Sequence, residues 1–169
     1  MKQFYMGIDP GIKGAVALIL DNGQTAMPEF IVSATLPTLM NSDRRKIIDI
    51  PELIKKLGGY FLAYDIIVGI EKQWMRGGTG ARGGYTAGMN YGRLLGWIES
   101  SAAPFVEINP DVWKVSLHVP ADKAGAVAKC YQLFPETRDC IQPNQDGMAE
   151  AVLIAYHTFR RFTRNARAK

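Results

Sequence analysis

A short apolar strand that ends on an acid and is cut by Pro-Gly limits most strongly what this chain can become. In Tyr5 to Gly14, YMGIDPGIKG, the apolar run reaches Asp9 and Pro10-Gly11 then ends it. Proline lacks the N–H of a ladder residue, and glycine takes turn conformations that other residues avoid and lets a ligand approach closely. Asp9 is thereby set at the tip of a central strand, where open α/β sheets place their ligands. An isolated Asp-Pro-Gly is more often a capped turn. Two later groups of acids change that reading.

The rest of the chain reads as an α/β alternation. Lys2 to Ile8 and Lys13 to Leu20 are strands, and Asn22-Gly23 is a hairpin signal before a third strand in Phe30 to Leu36. Asp43 to Lys46 reads as a charged loop. Pro51 opens a helix to about Leu62, with Leu53, Ile54 and Leu57 on one face. Asp65 to Glu71, DIIVGIE, is apolar almost throughout and ends on an acid, as expected of a strand covered on both faces. A helix separates it from the opening strands, so it can lie parallel to the first and bring Glu71 to the same edge as Asp9.

Trp74 to Gly84, WMRGGTGARGG, reads as a cationic loop, either lying on a nucleic-acid backbone with Trp74 stacking or serving as a plain connection. Tyr85 to Ser101 is a long helix carrying Gly88, Gly92 and Gly96 on one face, a pattern for close packing within the chain or across a dimer. Pro104 to Ile108 is a fifth strand. Asn109-Pro110-Asp111 starts a helix with Trp113 and Lys114, and Ala121 to Phe134 is another, with Ala124, Val127, Ala128 and Tyr131 inward. The last helix runs from Asp146 through about Arg160. Asp146 and Glu150 share one face of it, a turn apart, ahead of the apolar run Ala151 to Tyr156.

Acids entering a buried helix need partners, and carboxylate oxygens are what Mg²⁺ or Mn²⁺ prefers. Asp9, Glu71, Asp146 and Glu150 therefore form one expectation: four carboxylates around two metal ions, the arrangement that hydrolyses a phosphodiester. The formal charge is +4 and the pI about 9.1. Arg160, Arg161, Arg164, Arg167 and Lys169 form a basic tail with no acid after Glu150, which suits a polyanion. No apolar run approaches the ~20 residues of a membrane span, no signal peptide is recognisable, and Cys130 and Cys140 fit neither a metal spacing nor a disulfide framework. A cytoplasmic or nucleoid-associated protein of one domain, residues 1–169, is expected. Cys130, Trp97 and Trp113 read as packing residues, Glu99 and Glu107 as surface acids, and His157 as a cation in a last helical turn.

These segments resemble the RuvC-type Holliday junction resolvases of the ribonuclease H-like superfamily, above all the phage-encoded and chloroplast branches. The likeness rests on GIDPGIKGAVAL around Asp9, VGIEKQ around Glu71, MNYGRLLGWI from Met89, INPDVWK, the Asp122–Lys123 to Pro135 pattern, and DGMAEAVLIAYH. It implies an α/β fold with a five-stranded mixed sheet flanked by helices. It implies Asp9, Glu71, Asp146 and Glu150 as metal-binding acids, two Mg²⁺ or Mn²⁺ ions per site, and Lys114 and Lys123 near the scissile phosphate. A homodimer cutting opposed strands of branched DNA is the implied assembly. Bacterial members end in two Asp spaced by three, where this chain has Asp146 and Glu150 spaced by four. Lys13, Lys72, Trp74, Arg76 and Arg82 are the expected DNA contacts, with Trp74 or Met75 as a junction wedge. A broader branched- or flap-DNA endonuclease and a non-catalytic junction-binding protein are the alternatives. A nucleotide-binding phosphotransferase of the sugar-kinase type also carries an early Asp and Gly, but one domain of this length lacks its second lobe.

Overall fold

The computed structural model describes residues 2–74, 80–120 and 122–167. Met75, Arg76 and Lys169 lie outside the described residues, and the side chains of Lys123, Arg164 and Arg167 outside the description. Five strands form one mixed sheet: β1 (Gln3–Asp9), β2 (Ala15–Asp21), β3 (Glu29–Thr35), β6 (Ile66–Glu71) and β7 (Phe105–Ile108), in the order β3-β2-β1-β6-β7. β1 to β3 are antiparallel neighbours, and β6 and β7 add in parallel on the far side of β1. Two short strands, β4 (Thr38–Met40) and β5 (Lys46–Ile48), pair as a separate ribbon. They bracket the stretch expected to be a charged loop.

Side-chain alternation divides the sheet's two faces. Phe4, Met6, Ile8, Val16, Leu18 and Leu20 point into one core, with Leu53 and Leu57 of α1 (Ile50–Ala63) and Leu94, Trp97 and Ile98 of α2 (Ala81–Ser100). Tyr5, Ala15, Ala17 and Ile19 point into the other. That core is closed by α3 (Pro110–Leu117), α4 (Lys123–Leu133) and α5 (Asp146–Arg167). Burial on both faces is why these strands read as unbroken apolar runs, each large side chain contributing about 1.5–3 kcal/mol.

The helix starts follow the capping chemistry. Asp49 accepts a hydrogen bond from the Glu52 N–H (3.1 Å) ahead of Pro51, and Asp122 accepts from the Gly125 N–H (2.6 Å). Four expectations are corrected. Ile54 is exposed at 46%, because Leu53 and Leu57 already fill the seam. On α4 the inward residues are Gly125, Ala126, Val127 and Cys130, while Ala124 and Ala128 are exposed. α2 begins at Ala81, so the last residues of the Gly/Arg stretch are helical and not loop. Gly88, Gly92 and Gly96 are exposed, with nothing among the described residues near where a side chain would be. Among the described residues no helix is long and apolar enough to cross a membrane.

The seat of α5 fixes the rest. Gly7 and Gly69 are register partners on β1 and β6. A Cβ at Gly7 would collide with the Ala151 carbonyl oxygen and the Ala155 nitrogen, and one at Gly69 with the Thr158 hydroxyl. Glycine in a strand marks such a close backbone approach. Ala151 and Ala155 are fully buried on the helix side, so α5 lies directly on the two central strands. Gly7→Ala is expected to cost roughly 3 kcal/mol or more, because backbone and not a flexible side chain must move. Gly59→Ala, in α1 with open space around it, is expected to be neutral or to gain up to about 1 kcal/mol. Denaturant unfolding of the two variants checks both signs.

Candidate active site

Three elements deliver the acids to one sheet edge. β1 ends at Asp9 and β6 at Glu71, parallel neighbours whose last matched pair is Ile8 with Ile70. Both carboxylates therefore project from adjacent C-terminal strand ends. α5 arrives from above with Asp146 at its first residue and Glu150 one turn later. Gly147 makes that approach possible: a Cβ there would stand 2.7 Å from the Lys13 carbonyl oxygen and 3.0 Å from Asp9 Oδ2. The start of α5 is thus pressed onto the turn that follows Asp9.

α3 contributes from the side. β7 runs beside β6, pairing Ile108 with Glu71, and the chain then turns at Asn109 into α3. One turn along, the Trp113 indole Nε1–H donates to Glu71 Oε2 at 2.8 Å. The next residue, Lys114, places Nζ 2.7 Å from Glu150 Oε1. The sequence marked Trp113 as a packing residue. It is fully buried, and its polar edge in addition holds an acid. The signal for this was available in principle, since a buried indole N–H needs an acceptor, but only the β7–α3 turn identifies which one.

The electrostatics of the edge centre on Asp9. Burial pushes its carboxyl up to about 7; the Gly11 N–H, donating to Oδ1 at 3.2 Å, opposes that shift. The nearby Glu150 and Glu71 carboxylates raise it further, and the Lys114 ammonium lowers it. The site is thus short of positive charge by its own residues. Oxygen donors alone, with no thiolate or imidazole in the set, match a hard divalent cation. Among the described residues, no three His, Cys, Asp or Glu side chains are gathered into a ready cage. Glu71 and Glu150 are held instead by α3.

The residues expected to meet DNA surround this edge to different degrees. Lys13 is exposed in the turn between β1 and β2. Lys72 continues from Glu71, its ammonium 4.9 Å from the ring centre of Trp74, which is 60% exposed. Arg82 lies in the first turn of α2 and lines a cleft of about 470 Å³ with Pro10, Gly11, Ile12 and Gln73. Lys123 is the first residue of α4. Glu107 is exposed, as expected, but it accepts a hydrogen bond from the Tyr91 hydroxyl at 2.5 Å, one strand over from Glu71. His157 is corrected: it lies within α5, buried, with Nδ1 2.7 Å from the Ser116 hydroxyl. Burial and the Arg161 and Arg160 guanidiniums lower its pKa, so it is neutral and not a terminal cation. Cys130 is a core residue whose thiol burial pushes up to about 11.

No protein-family model matches the chain, and no curated protein does. Solved structures do. RuvC of Thermus thermophilus in complex with a Holliday junction substrate superposes with a TM-score of 0.60 at 16% identity, over 94% of this chain and 96% of that one. A second Thermus thermophilus RuvC structure gives 0.59 at 18% identity, over 95% and 96%. The yeast mitochondrial Holliday junction resolvase Ydc2 gives 0.51 at 17% identity, over 96% of this chain and 80% of that one. The five-stranded mixed sheet flanked by helices is therefore the ribonuclease H-like fold of the RuvC-type resolvases.

Proposed function

We propose that this chain is a metal-dependent endonuclease that resolves four-way DNA junctions by paired phosphodiester hydrolysis, acting as a homodimer. The observation that carries the reading is the carboxylate edge. Asp9 is half-buried within the fields of Glu71 and Glu150, at the end of the central strand, with the Lys114 charge acting on it as well. Carboxylates whose fields raise one another's pKa at a poorly solvated strand end are favoured once a further cation offsets them. The overlap with RuvC bound to its junction substrate, over nearly the whole of both chains, supports the choice of DNA structure.

In this reading Asp9, Glu71, Asp146 and Glu150 hold two Mg²⁺ or Mn²⁺ ions. Bound there, the ions supply water activation and charge stabilisation at the departing oxygen. Asp9, which feels the charges of both Glu71 and Glu150, would be the ligand shared between the two ions. Lys114 and Lys123 offer ammonium groups to the phosphate, where charge grows as the bond breaks. Lys13, Lys72 and Arg82 hold the backbone of the strand beside the cleft, and Trp74 offers an exposed ring to a base. Arg160 and Arg161, which line a groove of about 560 Å³ with His118 and His157, extend the basic surface. The exposed glycine face of α2 supports the dimer. Each glycine costs up to about 1 kcal/mol in a helix interior, and among the described residues nothing packs against them to offset it.

Cleavage of a synthetic four-way junction with Mg²⁺ or Mn²⁺, beside flap, fork and duplex substrates, tests the function. Paired symmetric nicks on the junction are expected. Asp9→Asn is expected to lower cleavage at least about 10³-fold while junction binding persists, since a metal ligand is lost and the basic surface is not. Equal cutting of flaps and forks identifies a broader branched-DNA nuclease, and tight binding without any metal-dependent cutting leaves a junction-binding protein.

The same substitution has a second, opposite effect on the metal-free fold. The folded-state pKa of Asp9, about 7, lies above its ordinary 3.8. Its protonated form therefore supports the fold below about pH 4, and that contribution is lost as pH rises through 7. Without metal, Asp9→Asn is expected to be more stable than the wild type at pH 8, by up to about 4 kcal/mol. The gain is expected to vanish near pH 4. Urea midpoints in EDTA at the two pH values check this.

A further inference from the structure

We propose that Trp113 and Lys114, neighbours on α3, set the geometry and charge of the metal-binding acids from the side: Trp113 as a positioning residue that fixes Glu71, and Lys114 as a built-in counter-ion on Glu150 that an incoming divalent cation displaces. This rests on the metal-dependent reading above.

The two contacts differ in kind. An indole N–H is a donor only and carries no charge. Once aimed at Glu71 Oε2 (2.8 Å) it orients the carboxylate without competing with a cation for it. Its aim is rigid, because Trp113 is fully buried and α3 leaves β7 directly opposite Glu71. Hydrogen-bonded supports of this type turn a ligand toward its metal and raise metal affinity.

The Lys114 contact is of the opposite sort. Its ammonium sits 2.7 Å from Glu150 Oε1, with the two side chains 33% and 21% exposed. A full positive charge there relieves the crowding of acids around Asp9, and it also occupies an oxygen that a divalent cation needs. Lysine is suited to leave: its charge is compact and its stem flexible. The Trp113 ring, with its centre 5.1 Å from the ammonium, gives it a second resting place by cation–π attraction. Displaced from Glu150, the same ammonium becomes available to a phosphate at the moment the metal is loaded.

Mn²⁺ binding to the full chain without DNA, by electron paramagnetic resonance and calorimetry, reads both roles. Trp113→Phe is expected to weaken Mn²⁺ affinity about 10–100-fold, and to weaken it no further when added to Glu71→Gln. Lys114→Met is expected to tighten Mn²⁺ binding severalfold while lowering the melting temperature in EDTA. Should Trp113→Phe not fold, the indole N–H resonance of Trp113 in the otherwise unchanged chain serves instead. It is expected to shift in Glu71→Gln. Unchanged Mn²⁺ affinity in a folded Trp113→Phe, an indole resonance indifferent to Glu71→Gln, or weaker Mn²⁺ binding in Lys114→Met overturns the proposal and leaves the nuclease reading standing. Wild-type protein that binds no Mn²⁺ at all overturns both.

Discussion

The contact on which the structure depends is the one between α5 and a pair of strand glycines. Gly7 and Gly69 lie side by side on β1 and β6, and together they leave a strip of sheet with no side chains. Only there can a helix backbone come down onto the strands, as the Ala151 carbonyl and the Ala155 nitrogen do at Gly7. Such an approach gives up the side-chain layer that normally separates helix from sheet. In return it fixes the height and register of the helix to a degree that flexible side chains cannot. The consequence lies two residues along β1 and one turn back on α5. Asp9 and Gly147 meet, with no more than a glycine's width between them. The acid edge is thus an outcome of backbone packing in the core.

That edge is electrostatically expensive, and the fold's answer is local. Burial and two neighbouring carboxylates push Asp9 up to about 7, the direction expected when like charges share a poorly solvated space. The cost is borne by the extensive cores on either side of the sheet, in which Ile8, Ile70, Ala149 and Val152 are all fully buried. The remaining relief comes from α3, through one neutral donor on Glu71 and one cation on Glu150. Residues of two chemical types, adjacent in sequence, thereby divide a single electrostatic problem.

Much of this was legible before any coordinates, for physical reasons that differ by element. The opening strands and β6 are buried on both faces, so their apolar runs are unambiguous, and an acid at the end of each can only project from the sheet edge. Asp146 and Glu150 follow from helical spacing alone. Where the reading failed, the information was not local. Ile54 has the right spacing for the α1 seam but is exposed, because Leu53 and Leu57 already fill that seam. His157 sits near a run of arginines that suggests a solvated helix end; α3 covers it and supplies Ser116. Trp113 has the composition of a core residue and is one, yet its acceptor lies 42 positions away. The glycines of β1 and β6 went unread because each is an ordinary interruption by itself. Only their pairing in register makes them a seat.

This division also accounts for how so distant a likeness, at 16–18% identity, can extend over nearly the whole chain. The features that place the acids are strand order, parallel register and a helix laid flat on the sheet. Backbone geometry and a few small residues set these, and many apolar side chains can fill the cores around them. The features that tune the acids are single side chains reaching in from α3 and the strand-end turns. A change at Lys114 leaves the sheet untouched and alters the charge that Glu150 meets. A change at Gly7 acts from the other end, moving the whole helix and with it Glu150 and the surroundings of Asp9. Placement and tuning therefore start from residues on different elements and act through different forces, backbone packing in the one case and charge in the other.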